Sequence, residues 1–114
     1  MESDQAVTSL SALAQETRLQ IFRELVAAHD ISDDEGGLAV GELRERLDIA
    51  PPTLSFHLKE LTNAGLIMPR KKGRSIIYKA KLSEMQALVD FLLQDCCSGA
   101  CGVALEVRTG GKAP

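Results

Sequence analysis

The chain has 114 residues, which accommodates one small domain and leaves no room for a second. Hydrophobic residues make up 45% and charged residues 25%, the balance of a folded chain and not of a disordered one. Aromatics are 4% with no Trp, too sparse for a β-sandwich or a base-stacking platform, so helices are favoured. The formal charge of −3 would by itself oppose a nucleic-acid partner, but its distribution does not. Arg70, Lys71, Lys72, Arg74, Lys79 and Lys81 are six of the thirteen cations, within twelve residues and with no acid among them. The other seven cations face sixteen acids, a balance of −9. Such a segment can neutralise phosphates locally while the body repels them; a solvated charge run is the plainer alternative. Apolar runs stay far below the ~18 residues of a membrane span. The acidic start MESDQ lacks the basic and apolar regions of a signal peptide, so a cytoplasmic location is expected.

Val7, Leu10, Leu13 and Ala14 recur at helical spacing, as do Ile21, Leu25 and Ala28. They predict helices near 5–14 and 18–28, the second opened by the capping-box pattern Thr17-x-x-Gln20. Asp30 to Gly37, with four acids and two glycines, reads as a polar loop. Val40, Leu43 and Leu47 share one face of a short third helix that breaks at Asp48-Ile49. Ala50-Pro51-Pro52 cannot be helix interior, but proline suits a first helical position. A fourth helix is therefore expected from near Pro52 to Asn63, ending at Gly65. Leu66-Ile67-Met68 and Ser75-Ile76-Ile77-Tyr78 flank a basic turn and predict a hairpin, with Gly73 at its tip and Pro69 on an edge strand. Ser83-x-x-Gln86 is expected to cap a fifth helix carrying the stripe Met85, Leu88, Val89 and Leu92. After Cys97 the periodicity is lost, and the last five residues look like a frayed tail.

Two short helices joined by a tight turn, with a basic hairpin directly after them, are the parts of a helix-turn-helix with a wing. At ~100° per residue, Leu54, Leu58 and Leu61 gather on one face of the fourth helix for burial. Phe56 and Lys59 project opposite, with Thr53, Ser55 and His57 on the flanks. A helix fits the major groove, where hydroxyls meet base edges or phosphates and an aromatic ring meets a thymine methyl. Phe56 could equally cover a neighbouring helix or a second subunit. His57 offers either a phosphate contact or a satisfied structural imidazole. Lys71, Lys72 and Arg74 would hold phosphates without reading sequence.

The segments Leu13-Ala14, Thr17-Arg18-Leu19-x-Ile21, Thr53-Leu54-Ser55-Phe56-His57-Leu58-x-x-Leu61-x-x-Ala64-Gly65-Leu66-Ile67 and Arg70-x-x-Gly73-Arg74-x-x-x-Tyr78 lie in unbroken order over about residues 8–94. Together they resemble the ArsR/SmtB family of metal-responsive repressors. The resemblance implies a mainly α fold with a β-hairpin, the winged helix-turn-helix order α-α-α-α-β-β-α. It also implies a homodimer joined through the first and fifth helices, bound to operator DNA and released by a metal or metalloid. The expected organisation is a DNA-binding and dimerisation domain over 1–97 and a flexible tail over 98–114 carrying the last thiol. The apolar stripe of the fifth helix fits a dimer independently, with burial inside the monomer as the alternative.

All three cysteines, Cys96, Cys97 and Cys101, stand together as C-C-x3-C. Structural cysteines would be scattered and buried singly, and a vicinal disulfide in a reducing compartment is disfavoured. Structural zinc wants four protein ligands, whereas one chain offers three sulfurs and no histidine after His57. Trivalent arsenic or antimony, with a stereochemically active lone pair, is satisfied by three thiolates. Adjacent helical residues point ~100° apart, so the helix end beyond Gln94 must bend or unwind for Cys96 and Cys97 to share one ion. Ser98-Gly99-Ala100 and Gly102 supply that freedom. The placement resembles the family's arsenite sensors with thiols after the dimer helix. The family's Cys-x-Cys at the start of the third helix is replaced here by Ala39-Val40-Gly41-Glu42, and the His and Asp pairs of its zinc type are absent.

The expected activity is that of an As(III)- or Sb(III)-released repressor, with no organic cofactor and no catalysis. A thiol redox-sensing repressor is the alternative within this class. A small thiol enzyme such as an arsenate reductase is the alternative outside it. The enzyme lacks support, because the sixth residue after Cys96 is Gly102 and after Cys97 is Val103, so no Cys-x5-Arg loop exists. A winged helix used for protein binding is a third possibility, marked by absence of salt-dependent duplex affinity.

Overall fold

The computed structural model describes residues 1–29 and 36–94. These form α1 (Ser3–Leu13), α2 (Glu16–Ala27), β1 (Leu38–Ala39), α3 (Val40–Leu47), α4 (Pro51–Asn63), β2 (Ile67–Lys72), β3 (Ser75–Ala80) and α5 (Leu82–Leu92). Most of the expected Asp30–Gly37 loop lies outside the described residues. The winged helix-turn-helix order is borne out, with one addition. Leu38 and Ala39 pair with Tyr78 and Ile77, making the wing a three-stranded antiparallel sheet in the order β1-β3-β2. That pairing needs Gly37, since a Cβ there would sit 2.5 Å from the Tyr78 carbonyl oxygen. Pro69 lies on β2, an edge strand as expected.

Two caps differ from the sequence reading. α2 starts at Glu16, because Gln15 is extended and its side chain accepts the Arg18 N–H at 2.9 Å. Thr17 is thus already inside the first turn, and the Thr17-x-x-Gln20 pattern caps nothing. α5 starts at Leu82 without a side-chain cap, its first turn closed on the Lys81 carbonyl by the N–H of Glu84 at 3.0 Å. Ser83 is therefore within the helix and not before it.

The core is built where the helices cross behind the wing. Ile21, Phe22 and Leu25 of α2, Leu43 of α3, and Leu54, Leu58 and Leu61 of α4 are buried together, closed by Leu66 and Ile67. On α1 the buried side chains are Ala6, Ser9 and Ala12, so small residues face inward and let the helix approach closely. Val7 and Leu10 face outward, 61% and 42% exposed. On α5 only Leu88 of the expected stripe is buried, and Leu92 is 54% exposed.

Candidate nucleic-acid interface

The turn between α3 and α4 is short because Asp48 adopts a left-handed conformation, φ 52°, while its N–H still bonds the Arg44 carbonyl at 2.8 Å. Ala50 is extended and Pro51 takes the first helical position, where its missing N–H costs nothing. At the far end α4 closes in a Schellman motif. The Leu66 N–H reaches the Leu61 carbonyl at 3.1 Å, and the Gly65 N–H reaches that of Thr62 at 3.0 Å. Both ends being fixed, the helix presents a defined outer face.

Thr53, Ser55, Phe56 and Lys59 lie on that face and are exposed. Phe56 is 55% exposed and sets its ring edge-on to that of His57, with centroids 5.5 Å apart. His57 itself turns the other way and is 7% exposed. Its Nδ1 lies 3.2 Å from Nη1 of Arg18, whose Nε donates to the Ala12 carbonyl at 2.7 Å. Burial, and then the neighbouring guanidinium, push the His57 pKa below its usual 6.5, against a smaller opposing pull from Glu60. The imidazole is therefore neutral at physiological pH and tied to the protein interior.

The wing supplies the positive charge. Ile67 and Ala80 pair at its buried root, whereas Lys71, Lys72 and Arg74 stand exposed at its tip. Lys72 pairs with Ser75, so Gly73-Arg74 is a two-residue loop, and Gly73 takes the positive φ of 62° that such loops require at their first position. Met68 and Ile76, which the sequence places in the hairpin strands without a further role, are 43% and 45% exposed on the ribbon. Sequence reasoning missed the Arg18–His57 contact, for which no local pattern gives a signal. An outward helix carrying hydroxyls, an aromatic ring and a cation, next to a basic hairpin, has the form of a winged helix-turn-helix DNA-binding module.

The thiols Cys96, Cys97 and Cys101 lie outside the described residues, beyond the end of α5 at Leu92. Among the described residues no group of three or more His, Cys, Asp or Glu side chains is placed to hold a metal ion. No described helix is long and apolar enough to cross a membrane. At the start of α3, the Glu42 carboxylate accepts the Ala39 N–H at 2.8 Å, so this segment caps a helix.

A family profile described as a helix-turn-helix domain matches residues 13–70. The transcriptional activator HlyU of Vibrio cholerae is 37% identical over 95 residues, 83% of this chain and 81% of the relative. The arsenic resistance transcriptional regulator ArsR1 of Pseudomonas putida is 38% identical over 60 residues, 53% of this chain and 46% of that relative. The solved structure of reduced HlyU from Vibrio cholerae matches with a TM-score of 0.61 at 35% identity, covering 83% of this chain and 92% of that one. The chain belongs to the ArsR/SmtB family of winged helix-turn-helix transcription regulators.

Proposed function

We propose that the protein is an arsenic(III)-responsive transcriptional repressor. It binds operator DNA as a homodimer and lets go when As(III) or Sb(III) is held by Cys96, Cys97 and Cys101. The observation that carries this reading is the placement of all three thiols within six residues, four positions after the end of α5, the last described helix of a DNA-reading fold. The donor set fits: three soft sulfurs and no nearby histidine suit a three-coordinate metalloid better than four-coordinate zinc. When bound, the ion would supply a pyramidal three-sulfur centre that fixes the positions of the thiols relative to one another. The Pseudomonas putida relative is an arsenic resistance regulator, which supports the choice.

Dimerisation through α1 and α5 is supported by their exposed apolar side chains, Val7, Leu10 and Leu92. A dimer of this kind sets two α4 helices about one turn of DNA apart. Constraining the chain just beyond α5 then acts on the interface and changes that spacing. A hundredfold loss of operator affinity requires only about 2.7 kcal/mol of differential binding. The compartment is the cytoplasm, where the thiols stay reduced.

The test is a gel shift with the DNA upstream of the protein's own gene, joined to X-ray absorption at the arsenic edge. Retardation abolished by arsenite, with arsenic–sulfur bonding in the reduced protein, is the expected result. Absence of arsenic–sulfur bonding would sink the proposal.

A second reading has one specific support, the relative whose structure was solved in a reduced form. In it, oxidation of the same thiols releases the DNA. It predicts release by peroxide and recovery with a reductant, in the absence of metalloid.

A further inference from the structure

The contact between Arg18 and His57 joins three helices by one side chain. Arg18 belongs to the first turn of α2, its Nε is bonded to the Ala12 carbonyl near the end of α1, and its Nη1 meets a ring on α4. Arginine has no acceptor atom and does not deprotonate in proteins. Nδ1 of His57 must therefore be the acceptor, which requires the neutral ring with its proton on Nε2. A protonated ring has two donors, so it can accept nothing from Arg18 and stands against it as a second cation.

The surroundings offer little compensation. His57 is 7% exposed, and among the described residues the charged groups facing it are Arg18 from α2 and Glu60 from α4 itself. At the crease between α1 and α4, α1 presents Val7, Thr8, Ser11 and Ala12, none of them ionisable. A second side-chain link from α1 to the end of α4 runs from Gln5 Nε2 to the Ala64 carbonyl at 3.2 Å and carries no charge.

We propose that Arg18 is a positioning residue for the recognition helix, and that its bridge to His57 is a proton-gated latch between α1 and α4. Closed, the latch holds the outer face of α4 at a fixed attitude to α1, the helix assigned above to the dimer contact. Open, it leaves α4 anchored by its apolar face and by Gln5. Acidification then weakens operator binding without touching a DNA-facing side chain. This inference rests on the reading of α4 as the operator-binding helix, and it is independent of what the cysteines bind.

The experiment measures operator affinity by fluorescence anisotropy from pH 8 to pH 5 at constant ionic strength. It compares the parent protein with His57→Asn and Arg18→Met. Asn places an oxygen acceptor near the position of Nδ1 and does not titrate. Relative to His57→Asn, the parent is expected to lose about fivefold in affinity on acidification, close to the net worth of one intramolecular hydrogen bond. Arg18→Met is expected to bind about fivefold more weakly at pH 8 and to lack the parent's pH step. Identical pH profiles for the parent and His57→Asn overturn the latch, as does full affinity in Arg18→Met.

Should either variant fail to fold, imidazole nitrogen shifts by NMR decide on the parent alone. An Nε2-protonated neutral ring is expected, and an Nδ1-protonated one overturns the proposal. Failure to bind operator at any pH would remove the DNA-binding reading, while the ring tautomer would still judge the latch.

Discussion

The N–H of Lys81 donates to the carbonyl of Leu66 at 2.8 Å, closing the root of the wing. Leu66 closes the Schellman turn that follows α4, and Lys81 is the residue immediately before α5. The whole hairpin is thus an excursion between two hydrogen-bonded neighbours. Through this bond a displacement of α5 would reach the end of α4. This gives the proposed signal a short physical route from the segment after α5 to the DNA-reading face.

The exposed wing cations are expected to govern the salt dependence of binding. Replacing Lys71, Lys72 and Arg74 with Gln should flatten the slope of log affinity against log salt by about 0.9 for each phosphate that is no longer neutralised. Sequence preference among operator variants should be unchanged, because groups that hold phosphates carry no base information. Anisotropy titrations at several salt concentrations check both statements.

Leu54 and Phe56 are two residues apart on α4 and should behave oppositely. Leu54 is fully buried, and Leu54→Ala should cost about 2–5 kcal/mol of stability. Phe56 is largely exposed, so Phe56→Ala should shift stability by less than about 0.5 kcal/mol. Its operator affinity should nevertheless fall about tenfold, equivalent to ~1.4 kcal/mol. Chemical denaturation and DNA titration of the two variants separate the roles.

Asp48 holds a positive φ of 52° in the turn of the helix-turn-helix. Glycine adopts this conformation without the penalty that a Cβ imposes. Asp48→Gly should therefore gain up to about 1 kcal/mol, a rise of a few degrees in Tm, and Asp48→Ala should lose stability. Calorimetry of the three proteins tests the order.

Folding stability should carry the mark of His57. Its pKa is depressed in the folded chain by burial and by Arg18, while the unfolded chain titrates near 6.5. Well above 6.5 neither state binds the proton appreciably, so this contribution to stability is complete. As pH falls below 6.5 the unfolded state takes up the proton first, and stability declines until the folded pKa is passed. Denaturation midpoints for the parent should fall over this window more than those of His57→Asn.

Much of this architecture is legible in the sequence, for reasons that residues show one by one. Leu54, Leu58 and Leu61 repeat at helical spacing, Pro51-Pro52 marks a helix start, and Gly73 sits between two short β-prone runs; each is a strong local signal. β1 is not legible, because two residues, Leu38 and Ala39, are too few to show a period. The caps mislead because Thr17-x-x-Gln20 and Ser83-x-x-Gln86 match a pattern without indicating which backbone residue is extended. On α1 the inward face is made of Ala6, Ser9 and Ala12, small side chains that leave no hydropathy trace, while the more conspicuous Val7 and Leu10 face outward. His57 lies at the border of the buried face of α4, and its partner Arg18 is 39 residues away, beyond any local pattern.

The most direct test of the sensing account compares the parent with Cys96→Ser and Cys97→Ser, each titrated against operator DNA with and without arsenite. The parent should lose about a hundredfold in affinity on addition of arsenite, a difference of ~2.7 kcal/mol. Both serine variants should bind operator as the parent does and keep that affinity in its presence. Release of the serine variants by arsenite at the parent's concentration would contradict the assignment of these thiols as the sensor.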